Sequence, residues 1–175
     1  MFISLGAGDT SITGWTVRPF NIEYIGSYWP AADGARSLDL SGGTAGGIEQ
    51  TFDTTPGTKY IVTFYLAGNP TCPPIVKHLD LGATGNPTAQ YTFDVTGYSV
   101  SSMGWQQESY TFVATGPTTT LFFQSQDFST CGPALDNVSV AEVPPIPTLS
   151  RSAGAVLALL LAALGWMALA GRSAS

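Results

Sequence analysis

Few side chains in this 175-residue chain are of a type and spacing suited to acid–base or metal chemistry. The one histidine, His78, follows Lys77 at the start of an apolar alternation, a setting that suits a strand surface better than a general base. No Gly-x-Ser-x-Gly elbow or His-Glu-x-x-His metal pair occurs. Carboxylates are more numerous, and glycoside hydrolysis needs only two of them about 5 to 9 Å apart. Yet Glu23, Asp39, Glu49, Asp80 and Asp94 fall in strand-like alternation, where outward, solvated positions account for them. The chain is therefore expected to be non-catalytic.

Binding chemistry is better represented. Sugar rings present apolar C–H faces ringed by hydroxyls, so a saccharide site pairs an aromatic platform with amides or carboxylates. Ser27-Tyr28-Trp29-Pro30, followed by Asp33, places such groups in one loop, and Ser102-Met103-Gly104-Trp105-Gln106-Gln107 offers a second set. Tyr28, Trp29, Asp33 and Trp105 are accordingly the expected contacts to a polysaccharide, either the cell's own exopolysaccharide or a neighbour's wall. Trp15 and Trp105 both adjoin strands, a placement that also suits core packing, and Trp15 reads as core. A structural matrix or adhesion protein that contacts other surface proteins is the alternative from a different class.

The elements that must position these residues are strands. Between Ile12 and Val140 the apolar pattern has period two, broken at short intervals by Gly, Pro, Asn and Asp. Lys59–Ala67 is the clearest run, followed by Gln90–Val95, Glu108–Val113, Thr119–Phe123 and Leu135–Val140, with earlier runs at Asn21–Ile25, Ser37–Leu40 and Gly47–Phe52. Eight to ten short strands without a soluble helix predict an all-β sandwich over residues 1–143. With 20 Gly and 12 Pro, the composition agrees. Basic residues number 6 against 12 acidic ones, for a net charge of −6, so the electrostatic footprint of a nucleic-acid binder is missing.

The two cysteines, Cys72 and Cys131, both lie in turn-rich segments and lack zinc-site or Cys-x-x-Cys spacing. They read as a disulfide, which would stabilise the fold by roughly 4 kcal/mol through chain entropy. Two free thiols in a reducing compartment are the alternative. The apolar residues are also unevenly placed. From 152 to 171 there is no charge, and Ala, Leu, Gly and Met occupy every helical face. At 1.5 Å per residue this stretch spans about 30 Å, which predicts a C-terminal transmembrane α-helix and a membrane partner. A proline-containing linker over 144–151 precedes it, and a short tail over 172–175 follows. At the other end, Met1-Phe2-Ile3-Ser4-Leu5 runs straight into Gly6-Ala7-Gly8-Asp9 without a basic region, a long apolar stretch or a cleavage site. An export signal is thus expected upstream of this sequence.

Two resemblances extend this reading. Ile146-Pro147-Thr148-Leu149 followed by an apolar helix resembles the bacterial IPTL-CTERM sorting signal, which implies surface localisation in a Gram-negative bacterium and an exosortase-like sorting enzyme as partner. Several motifs occur in one order: Asn21-Ile22-Glu23-Tyr24-Ile25, Ala32-Asp33-Gly34 before Ser37-Leu38-Asp39-Leu40, Gly47-Ile48-Glu49-Gln50, and the closing Cys131-Gly132-Pro133-Ala134-Leu135-Asp136-Asn137-Val138. Together they resemble the bacterial choice-of-anchor C domain and the plant cell-wall proteins containing domain of unknown function 642. That resemblance implies a galactose-binding-like jelly roll, with a bridge between Cys72 and Cys131. It also implies one structural calcium, for which Asp136 and Asp33 are the matching residues. These families open with a strand ending in Asn-Gly-Ser-Phe-Glu, which is lacking here, so the opening strand is expected to be missing.

Overall fold

Alternation every second residue turns one face of a strand to solvent and the other to a neighbour, and two such faces closing on each other make a sandwich. The computed structural model describes residues 1–144, and among them eleven strands form two sheets. In chain order these are β1 (Phe2–Leu5), β2 (Thr16–Val17), β3 (Ile22–Ile25), β4 (Ser37–Asp39), β5 (Gly47–Asp53), β6 (Lys59–Gly68), β7 (Val76–Ala83), β8 (Ala89–Asp94), β9 (Gln106–Val113), β10 (Thr118–Ser125) and β11 (Pro133–Glu142). One sheet runs β1-β3-β4-β11-β6-β9 and the other β2-β5-β10-β7-β8. Every pairing is antiparallel.

The predicted alternation appears directly in the packing. On β6 the residues Tyr60, Val62, Phe64 and Leu66 are buried, while Ile61, Thr63 and Tyr65 between them are not. Phe64 meets Phe123 of β10 edge to face, with ring centroids 5.2 Å apart, so the core sits between the sheets. Trp15 packs against the same Phe123 at 6.0 Å, in the core role expected of it. Strands β1 and β2 were not legible from alternation. Phe2 and Ile3 are both exposed on β1, which pairs with β3 along the sheet edge, and β2 is only two residues long.

Asp39 corrects the expectation of solvated strand carboxylates, because it is completely buried. Its Oδ1 accepts the backbone N–H groups of Ser41 and Gly132, each at 3.0 Å, and its Oδ2 accepts the Asn69 side-chain amide at 2.8 Å. Burial pushes its pKa up to about 7 against the opposing pull of these three donors. Glu23, half-buried on the neighbouring strand, is also raised by burial. Lys77 is fully buried too, and its ammonium donates at 2.8 Å to the carbonyls of both Cys72 and Cys131. Those two cysteines form a disulfide with Cα atoms 5.7 Å apart, as read from the sequence.

Among the described residues no helix is long and apolar enough to cross a membrane. The Ile146-Pro147-Thr148-Leu149 motif, the predicted helix over 152–171 and the tail over 172–175 lie outside the described residues.

Candidate functional site

The loop between β3 and β4 carries the densest set of aromatic and turn-forming residues, and three contacts hold it to the sandwich. Its tip turns at Asp33-Gly34, where Gly34 takes a left-handed φ of 62° that a side chain would oppose. Behind the turn, Asp136 Oδ2 accepts the backbone N–H groups of Ala32 at 2.7 Å and Asp33 at 3.0 Å. Within the loop, Trp29 is 3% exposed and its indole N–H donates to Ser37 Oγ at 2.9 Å. Finally, the indole N–H of Trp105 donates to the Pro30 carbonyl at 3.0 Å.

These anchors leave the Tyr28 ring outside the core, 36% exposed and 5.3 Å from the Trp29 ring, with the edge of Phe2 at 5.6 Å. Tyr28 lines an open groove of about 910 Å³, whose other walls include Pro30, Arg36, Val100 and Ser101. A smaller cavity of about 220 Å³ lies alongside, lined by Trp15, Tyr24, Arg36, Asp136 and Asn137 among others. The groove wall is mostly apolar, with one cationic side chain, Arg36, at its border.

The two sequence segments expected to contact a saccharide therefore do meet, but their residues divide into different tasks. Tyr28 presents its ring at the groove. Trp29 does not, and this corrects the sequence reading: its ring is core and its polar handle is committed to Ser37, so it shapes the groove without offering a stacking face. Trp105 is half-buried and acts as a clasp on Pro30. Asp33 is exposed and is tied by its own amide to Asp136.

Asp136 and Asp33, the residues matched to a structural calcium, come together through that amide rather than through paired carboxylates. Asp136 Oδ1 also accepts the N–H of Asn137 at 2.7 Å, so both of its oxygens already face hydrogen-bond donors. Calcium takes six to eight oxygens. Among the described residues no group of three or more His, Cys, Asp or Glu is arranged to hold a metal. The donor set at Asp136 does not fit the ion.

His78 has a partner that the sequence pattern did not reveal. Its Nδ1 lies 3.0 Å from Asp127 Oδ1, and its backbone N–H donates to Asp127 Oδ2 at 2.9 Å. Such a pair is two-thirds of a nucleophilic triad, but among the described residues no hydroxyl or thiol is hydrogen-bonded to the second ring nitrogen. The contact ties β7 to the segment after β10. Arg36 is the site residue that alternation missed entirely. Its only sequence signal was scarcity, since the described residues hold four basic side chains, Arg18, Arg36, Lys59 and Lys77.

The chain resembles several known proteins. The family model described as "Protein of unknown function (DUF642)" matches residues 2–141. Halomucin from Haloquadratum walsbyi is 32% identical over 142 residues, which is 79% of this chain but only 2% of that relative's length. A family 35 carbohydrate-binding module from Cellvibrio japonicus superposes with a TM-score of 0.54 at 12% identity, covering 81% of this chain and 93% of that one. The CBM22-1 xylan-binding domain from Paenibacillus barcinonensis gives 0.52 at 15% identity, covering 82% and 95%. These likenesses show the fold, an all-β sandwich of the jelly-roll kind found in carbohydrate-binding modules.

Proposed function

This chain belongs to the DUF642 family, and on that footing we propose that it is a non-catalytic polysaccharide-binding domain working outside the cytoplasm. The carrying observation is the exposed Tyr28 ring at a groove whose loop is clasped by Trp105, Asp136 and the buried Trp29. An aromatic face held still before ligand arrives loses little entropy on binding a sugar ring, so an open groove can still be selective. The likeness of the fold to carbohydrate-binding modules supports the reading. The Cys72–Cys131 bridge supports an oxidising compartment.

The finer assignment joins this domain to the tail. The apolar run over 152–171 and its Ile146-Pro147-Thr148-Leu149 motif would hold the domain at the cell surface, at least until an exosortase-like enzyme processes it. Fractionation of cells expressing the full sequence behind an export signal tests this. Removal of residues 144–175 should move the domain from the membrane to the medium.

Carbohydrate binding is tested by retention on a broad set of immobilised polysaccharides, comparing the protein with Tyr28→Ala. Retention that falls at least about tenfold in the variant, with an unchanged melting temperature, is expected for a stacking platform. Unchanged retention would clear the groove of this role. A second reading, a matrix or adhesion protein that contacts other surface proteins, draws on Phe128 and Ile75, which are 82% and 60% exposed. A domain silent on every glycan yet retained by surface protein would favour it.

A further inference from the structure

We propose that Arg36 makes the Tyr28 groove selective for anionic saccharides, with its guanidinium gripping an oxyanion substituent, a uronate carboxylate or a sulfate ester. This rests on the carbohydrate-binding reading above and names the ligand class. The reasoning begins with what the other cations do. Arg18 is paired with Glu49 at 2.7 Å. Lys77 is buried, with its ammonium on two carbonyls. Lys59 opens β6 and lines neither cavity. Arg36 alone borders both the groove and the smaller cavity beside it.

Its side chain is also held in place without being neutralised. The guanidinium carbon lies over the Tyr24 ring, 5.1 Å from the centroid. Nη1 of Arg36 lies beside Gly26, where an added Cβ would come within 3.0 Å of it. Among the described residues no carboxylate lies within ion-pair distance of it and no hydrogen bond uses its N–H groups. Asp136 lines the same small cavity, but its oxygens accept backbone amides from Ala32, Asp33 and Asn137. The Tyr24 ring lies beneath the planar fork, whose N–H groups carry no hydrogen bond among the described residues. A fork of this kind matches a carboxylate or sulfate with two parallel hydrogen bonds, which a neutral hydroxyl cannot reproduce.

The twelve acidic side chains of the chain oppose a polyanion at long range. That field decays over about 8 Å at physiological ionic strength, whereas a contact pair at the groove is screened much less. Selectivity should therefore be read at physiological salt.

The test compares polymers that differ only in charge. Affinity electrophoresis of the full chain is run in polygalacturonate against its fully methyl-esterified form, and in dextran sulfate against dextran. At least about tenfold stronger retention by the charged member of one pair is expected, with the pair identifying carboxylate or sulfate. Arg36→Gln should abolish that preference while melting at the same temperature, and Arg36→Lys should restore part of it. Equal retention within both pairs, or a preference that survives Arg36→Gln, overturns the proposal while leaving Tyr28-dependent sugar binding intact. Absence of retention by these and by the broad polysaccharide set overturns both.

Discussion

The indole N–H of Trp105 donates to the carbonyl of Pro30 at 3.0 Å, joining two loops 75 residues apart in sequence. That bond ties the Tyr28 loop to the chain just after Val100 and Ser101, which line the same groove. Trp105→Phe keeps most of the ring and loses the donor. It should cost about 1 kcal/mol of stability and weaken polysaccharide retention with Tyr28 untouched. Hydrogen exchange of the amides over residues 26–36 checks the cause, and it should quicken there and nowhere on β6.

Asp136 is the second clasp. Asp136→Ala leaves the Ala32, Asp33 and Asn137 amides without their acceptor, and a loss of about 1–3 kcal/mol is expected in denaturant titration. Because both carboxylate oxygens already face donors, the melting temperature should stay the same with added calcium or with chelator. A calcium-dependent rise would show that the carboxylate turns toward an ion.

The pKa of Asp39 gives stability a pH dependence whose sign runs opposite to that of a salt-bridged carboxylate. Burial raises it from the ordinary 3.8 to about 7 in the folded chain, so between those values the folded state binds more protons than the unfolded one. The contribution is fully present below about pH 4 and is lost as pH rises through 7. Denaturant titrations at intervals from pH 4 to 8 should show this decline, and Asp39→Asn should flatten it. The variant should also be less stable throughout, since its amide would confront the Asn69 side-chain donor that now meets Oδ2.

Cys72→Ser together with Cys131→Ser removes a bridge between residues 59 apart. The chain-entropy cost is about 4 kcal/mol. A second effect adds to it, because Lys77 relies on the carbonyls of those two residues to satisfy a buried ammonium. The unmodified protein should show no free thiol under denaturation without reductant, and the double variant should melt well below it.

How much of this was legible depended on whether neighbours in sequence or neighbours in space carried the information. Strands β6 and β10 were readable because a two-residue period is enforced locally, one face in the core and one out. The pairing of Cys72 with Cys131 was readable because two turn cysteines in such a chain have few other uses. Strand β1 was not, since an edge strand with exposed Phe2 and Ile3 shows no alternation.

The amino-acid sequence by itself determined an acidic, turn-rich β-sandwich and located the two loops that hold its aromatic and amide groups. Only the tertiary structure separated Tyr28 from Trp29. In a loop no backbone period assigns successive side chains to faces, and the acceptor that holds the Trp29 indole N–H in the core is Ser37 Oγ on the following strand. The burial of Asp39 was hidden differently: all three residues of the short strand β4 are buried, and its partners Asn69 and Gly132 come from the segments flanking β6 and β11. What hid Arg36 is its position in the β3–β4 loop, where its guanidinium lies over the Tyr24 ring. Side-chain fate in the long strands is set by a local repeat, but in loops and in the short strand β4 it is set by what sheet closure brings alongside.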